Sequence, residues 1–189
     1  MIRFLFLAPP IGSHLRCEVP LTAVSNTEDD GWADAMIKIR FAKQSEIKAI
    51  KNIYKKAFWD TRRTKQFHYF LQFIDKERIT KKEILIAYFN GKPAGFCSFY
   101  YASPMFSEAM FLEDTAVLPE YQKKGIGLAF SKKVFALAKS RRLGRVFSST
   151  WSGNKAAIKL NKKRGSEYCG RIASGGGEHE DYVFFSKRI

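Results

Sequence analysis

The chain has 189 residues and a mass of 21.7 kDa, one domain's length, and carries 33 Lys and Arg against 18 Asp and Glu, a net charge of +15. Hydrophobic residues at 46%, with 17 phenylalanines, exclude a disordered or collagen-like chain. At this length folding buries roughly 70% of the unfolded surface, so neither a metal nor a disulfide framework is needed to hold a core. Cys17, Cys97 and Cys169 are odd in number, far apart and outside any CxxC or His-rich spacing. No metal site and no disulfide scaffold are expected, and a reducing, cytoplasmic setting fits.

The sequence has no run of 18 apolar residues, so no membrane span is expected. The stretch Phe4-Leu5-Phe6-Leu7-Ala8 is cut by Pro9 and Pro10 without a small-residue cleavage site, which makes a poor secretory signal. Residues 1–35 hold two basic and five acidic side chains, a net of −3 against +18 for the remainder. Met36 opens the alternating phrase Met36-Ile-Lys-Ile-Arg-Phe41. The expectation is an extension at 1–35, poorly ordered or loosely docked, or translated from a misread upstream start codon. The folded domain is expected at 36–189.

After the strand at 36–41, Ile47, Ile50, Ile53, Tyr54, Ala57 and Phe58 recur at helical spacing, with Ser45 as N-cap. A second helix is predicted at 64–75, with Phe67, Phe70, Leu71 and Phe73 on one side. Three strands follow at 83–89, 93–101 and 109–118, the first two joined by the Asn90-Gly91 hairpin signal. The clearest helix is 127–142, with Ala129, Phe130, Val134, Ala136, Leu137 and Ala138 inward, closing at Leu143-Gly144. A strand at 146–151 and a helix at 154–163 ended by Gly165 come next. Two strands then flank Gly175-Gly176-Gly177, the last being aromatic at 182–185. The order is β-α-α-β-β-β-α-β-α-β-β, an α+β (mixed α/β) fold around one central sheet.

Between residues 122 and 171 stand fourteen Lys and Arg and the single acid Glu167, a segment of +13 suited to a nucleic-acid backbone or a phosphorylated cofactor. Within it, a strand runs through Pro119-Glu120-Tyr121-Gln122-Lys123-Lys124-Gly125-Ile126-Gly127 into the best helix. Such a turn cradles phosphate, because the first amides of a helix lack internal partners and carry the positive end of its dipole. Glycine lets the backbone approach closely. A Walker A loop is excluded by the missing Gly-Lys-Ser/Thr. A dinucleotide fingerprint is disfavoured by Phe130 at its third glycine and by the lack of a ribose-binding acid downstream.

Gln122-Lys123-Lys124-Gly125-Ile126-Gly127 resembles the Gln/Arg-x-x-Gly-x-Gly/Ala acyl-CoA loop of the GNAT superfamily of N-acetyltransferases. Asn154, Ala157, Leu160-Asn161 and Gly165 match that family's downstream spacing, and the resemblance covers 36–189. It implies a mostly antiparallel GNAT-like sheet and acetyl-CoA as acyl donor. Backbone amides of Gln122 through Gly127 would hold the pyrophosphate, with charge from Lys123 and Lys124 and with Asn154 nearby. The strand ending at Val117 would splay from 146–151, and the pantetheine arm would bond the backbone at Ala116 and Val117.

Glu113, in a Leu112-Glu113-Asp114 phrase similar to the diamine acetyltransferase branch, is the candidate base for an amine that is protonated at neutral pH. Strand alternation turns Asp114 to the opposite face unless a bulge intervenes. The family usually has Tyr where this chain has Asn161, so Tyr168, Cys169 or water must serve the leaving thiolate, or it leaves unaided. The acceptor site would lie between residues 58–73 and the hairpin 174–182, with Glu178, Glu180 and Asp181 drawing a cationic amine. His68 and His179 are further candidate bases.

The expected activity is acetyl transfer by direct attack in a ternary complex on a polyamine-like molecule or a protein amine. Two alternatives stand beside it: a nucleic-acid or ribosome-associated module, and a CoA-binding regulatory protein with little turnover. A homodimer is compatible with the aromatic strand 182–185 as a shared edge.

Overall fold

The computed structural model describes residues 37–58, 76–101, 108–173 and 181–189. The extension at 1–35, the helix expected at 64–75, His68, the glycine turn 175–177 and the acidic tip 178–180 lie outside the described residues.

The strands are β1 Ile37–Phe41, β2 Ile84–Phe89, β3 Lys92–Tyr101, β4 Ala109–Val117, β5 Arg145–Trp151, β6 Glu167–Ile172 and β7 Tyr182–Arg188. The helices are α1 Ile47–Phe58, α2 Lys76–Thr80, α3 Ile126–Ser140 and α4 Lys155–Lys163. All seven strands form one sheet in the order β1-β2-β3-β4-β5-β7-β6, and every pairing is antiparallel except β4 with β5. The mixed α+β class is what the chain adopts; the other predicted elements appear among the described residues, while the short helix at Lys76–Thr80 has no counterpart in the expected order. The last strand lies elsewhere than expected: β7 is paired on both sides, so 182–185 is not a free edge, and the edge is β6.

Each face of the sheet has its own apolar cluster. Ile50, Ile53 and Tyr54 of α1 and Ile79 of α2 pack with Ile84, Ile86, Phe96 and Ala116. Ile126, Phe130, Val134, Leu137 and Ala138 of α3 pack with Leu85, Cys97, Phe99, Met110, Leu112 and Val146 on the opposite face. Within α3, Ser131 is buried and Ala136 is exposed, the reverse of what their polarity suggests.

Local chemistry sets the element ends. The hairpin after β2 turns on Asn90 and Gly91, both at positive φ as a two-residue turn requires. Glu46, not Ser45, caps the entry to α1: its carboxylate accepts the Lys43 amide at 2.7 Å and a bidentate pair of bonds from Arg40, and Tyr88 donates to it as well. Helix α3 ends with Arg142, not a glycine, in the left-handed position, and Leu143 N bonds back to Ala138 O.

Candidate functional site

Strand β4 changes face midway. Met110 and Leu112 pack on the α3 side, whereas Ala116 packs on the α1 side, so alternation cannot be unbroken between them. The break is at Glu113: Ser98 of β3 pairs with Asp114 and Phe99 with Leu112, which leaves Glu113 as the extra residue of a β-bulge. Glu113 follows from Leu112 and Asp114 from Ala116, so both carboxylates turn to the α1/α2 face, side by side.

The bulge coincides with a fork in the sheet. The parallel ladder of β4 and β5 covers only Ala109–Leu112 against Arg145–Ser148. Beyond it β4 stays with β3 to Val117 and β5 stays with β7 to Trp151. The inner edges of Glu113 to Val117 and of Ser149 to Trp151 therefore have no strand opposite them among the described residues.

On the α1/α2 face Arg78 organises the acids. Its Nη1 donates to Glu113 at 2.6 Å, its Nε to Glu83 at 3.2 Å and its Nη2 to Phe99 O at 3.1 Å. Ser98 Oγ donates to the same Glu113 oxygen and accepts the Asp114 amide. The Asp114 carboxyl is pushed up to about 7, chiefly by burial and further by the negative charge of Glu113, with Arg78 opposing. Burial raises the Tyr54 phenol too, helped by both acids, which keeps it neutral.

Past the fork, Pro119–Tyr121 forms a 3-10 turn, Lys123 takes a left-handed conformation and Gly125 caps α3 at φ 88. Among the described residues no side chain caps the first amides of α3, and a Cβ on Gly125 would meet nothing within 4 Å. Gln122 Nε2 donates to Val117 O at 3.2 Å, tying the loop to the end of β4. Lys124 Nζ stands 4.7 Å from the centre of the Phe89 ring and 5.6 Å from that of Tyr121, a cation–π contact. Gly127 serves packing: a Cβ there would lie 3.2 Å from Leu160 Cδ2 of α4.

Helix α4 begins at Asn154, whose side chain accepts the Ala157 amide at 3.1 Å, and ends at Gly165 with φ 72. Its inner stripe carries Asn161 and Arg164, both buried. Asn161 Oδ1 accepts from Ser148 Oγ at 2.9 Å and from Arg164, and its Nδ2 donates to Ala157 O. Arg164 also reaches Ser148 Oγ at 2.5 Å, Ser131 Oγ at 3.3 Å and Ser166 Oγ at 3.1 Å.

The structure thus gathers Glu113, Ala116, Val117, Gln122, Lys123, Lys124, Gly125, Ile126 and Gly127 along β4 and the start of α3, with Asn154 heading α4. It does not bring Tyr168 to the fork. Tyr168 lies on edge strand β6, opposite Phe185 of β7, which in turn pairs with Ser148. Two strand spacings, roughly 9–10 Å, separate it from Ser148, and it is 60% exposed. Cys169 is exposed on the same strand. Asp181 is ion-paired with Arg171. Sequence reasoning missed Arg78 and the Ser148–Asn161–Arg164 cluster, and set Asp114 aside. No helix among the described residues is long and apolar enough to cross a membrane, and no cluster of His, Cys, Asp and Glu among them is suited to a metal ion.

A sheet forked at a bulge, with an uncapped glycine-turn helix at the fork, is the framework of an acyl-CoA-dependent acetyltransferase. Residues 47–165 match the family model for the acetyltransferase (GNAT) family, and the chain belongs to that family. No curated protein matches the sequence significantly. Among solved structures the fold is similar to that of yncA from Salmonella typhimurium, determined with its cofactor acetyl-CoA (23% identity, TM-score 0.68, 82% of this chain and 94% of that one). It is similar also to a ribosomal-protein-alanine N-acetyltransferase from Brucella melitensis (23%, 0.66, 80% and 99%). A third similar structure is the ribosomal-protein-S18-alanine N-acetyltransferase of Escherichia coli (20%, 0.64, 81% and 94%).

Proposed function

We propose that the chain transfers an acetyl group from acetyl-CoA to a cationic primary amine, a polyamine-like molecule or a protein amine, by direct attack in a ternary complex. The observation that carries this reading is the fork itself, with two carboxylates on one face and the uncapped start of α3 beside it. The residues suit the donor: the uncapped α3 amides and the room around Gly125 among the described residues fit a pyrophosphate. The unpaired edge of β4 at Ala116 and Val117 fits the amides of a pantetheine arm, with Val117 O already held by Gln122. Lys123 adds charge at the loop. Lys124, drawn over its two aromatic rings, fixes the loop's shape. Acetyl-CoA, when bound, supplies the thioester that the amine attacks.

An amine of pKa about 10 arrives protonated and has no lone pair until a base relieves it. Asp114 is that base. Near neutral pH its carboxyl is part ionised and still basic enough to take a proton, the balance a general base needs. Glu113 is held by Arg78 and acts on the acceptor through its charge and by keeping Asp114 raised. Direct attack is supported by the state of the two described cysteines. Cys97 is buried with its thiol pushed up to about 12, and Cys169 is out on the edge strand, so neither is placed as an acyl-carrying nucleophile.

Titration calorimetry of acetyl-CoA into the full chain, beside Gly125→Glu and with a thiol-release screen over polyamines and N-terminal peptides, tests the reading. Binding lost in the variant, together with amine-dependent thiol release, supports it. An intact chain that does not bind acetyl-CoA overturns it.

A further inference from the structure

Of the fourteen basic residues between 122 and 171, Arg164 alone is buried. A buried cation is ordinarily matched by a carboxylate, since leaving water is costly and only an opposite charge returns much of that cost. Among the described residues Arg164 has no such partner. Its four hydrogen bonds go to the hydroxyls of Ser131, Ser148 and Ser166 and to the amide oxygen of Asn161. A guanidinium has five N–H donors; the fifth, on Nη1, meets no acceptor among the described residues. The positive charge is solvated by neutral dipoles and not cancelled.

Its location gives that charge a use. Ser148 is the last residue of β5 to pair with β4, so the Arg164–Ser148 bond ends at the point where the sheet opens. Ser131 is one turn into α3, and its Oγ donates to Gly127 O at 3.0 Å, so the cluster also reaches the start of the helix that follows the glycine turn. Asn161 is fixed from both ends and has no acidic proton to give.

We infer that Arg164, acting through Ser148 and Asn161, makes the α3/α4 side of the fork a site that holds the sulfur of CoA as a thiolate. The inference rests on the acetyl-CoA reading above. Asp114 takes the ammonium proton before attack and passes it to water. Then, as nitrogen bonds the carbonyl carbon, its second proton passes to the freed Asp114 carboxylate while the sulfur departs with the electron pair of the broken carbon–sulfur bond. A fork that favours the anion removes the need for a proton donor at the sulfur, and among the described residues neither Asn161 nor the distant Tyr168 is placed to be one. Arg164 is a positioning residue: it acts through the hydroxyl and amide it orients and through its field. That field already touches a sulfur, because the charge of Arg164 favours ionisation of Cys97 on β3, against the larger effect of burial. Cys97 is the titratable group that faces the guanidinium.

The test uses the full chain and reduced CoA, without any acceptor. Calorimetry gives affinity, and the ultraviolet absorbance of the thiolate, as the difference between complexes with CoA and with desulfo-CoA, gives the ionisation of the bound thiol against pH. The expected result is a bound thiol that ionises at least about tenfold more readily than that of free CoA titrated in the same way. Arg164→Met should abolish the shift and Ser148→Ala reduce it, with desulfo-CoA affinity changed by no more than severalfold. Should Arg164→Met fail to fold by circular dichroism, Ser148→Ala decides. A thiol that titrates at its ordinary value in the wild-type complex, or a shift untouched by the variants, overturns the inference and leaves the acetyl-CoA reading standing. Absence of any CoA binding overturns both.

Discussion

On the α1/α2 face of the fork Arg78 meets two carboxylates, Glu113 at 2.6 Å and Glu83 at 3.2 Å, whereas on the α3/α4 face Arg164 meets three hydroxyls and an amide. The first cation is outnumbered two to one by the carboxylates it bonds, and a third acid, the half-buried Asp114, stands beside them and is part ionised near neutral pH. The second is only solvated and leaves its positive charge in place. On the reading proposed above, one sheet opening has a proton-accepting side and an anion-accepting side, on opposite faces of the sheet. An amine that must lose a proton and a sulfur that must gain an electron pair call for those opposite polarities.

The largest effect should come from removing the Asp114 carboxyl. Asp114→Asn is expected to lower kcat/KM by about 10²-fold or more, within the range for a lost general base, while acetyl-CoA affinity by calorimetry stays within severalfold. The wild-type rate should rise with pH through a midpoint near 7, and this rise should vanish in the variant. Next, Arg78→Met would spoil this side by leaving Glu83 and Glu113 without their cation. A loss of roughly 2 kcal/mol is expected, between the values for surface and fully buried pairs, read as a lower Tm. Arg78 holds the Asp114 carboxyl down, so the midpoint of any remaining activity should move above 7.

The same acid sharpens the comparison through stability. The carboxyl of Asp114 is raised in the folded chain relative to about 3.9 unfolded, so the folded state holds the proton more tightly, and its contribution to stability is lost as pH rises from about 4 through 7. Denaturant midpoints measured across that range should fall less steeply in Asp114→Asn than in the wild type. The smallest effect belongs to the other face. Gly127→Ala pushes against Leu160, but the leucine end can shift and alanine favours the helix by up to about 1 kcal/mol, so Tm should change little.

Much of this was legible in the residues, but not the features that set the two faces apart. Alternation in Ile37–Phe41, the continuous apolar run Ile84–Phe89, the Asn90-Gly91 turn and the stripe of Phe130, Val134 and Leu137 announce local structure, because local sterics and burial determine it. The bulge at Glu113 is a relation between two strands, defined only by where Ser98 and Phe99 pair, so no reading of β4 alone could place Asp114 beside its neighbour. The insertion of β7 between β5 and β6 is likewise a long-range choice. Arg164 is a different case. Ala157, Asn161 and Arg164 are spaced four and three apart on one helical stripe, a signal that the surrounding basic residues concealed.

The position of β7 governs the order in which the sheet is completed during synthesis. Strand β6 precedes β7 in the chain, yet it joins the sheet through β7 alone. A nascent chain that has reached Ile172 has β5 ready beside β4 and holds β6 with no strand to receive it. Only when Tyr182–Arg188 slides in along β5 is the β5 wall of the fork backed by a strand and β6 given its place, so translation arrested between the two strands would leave that half of the sheet unfinished.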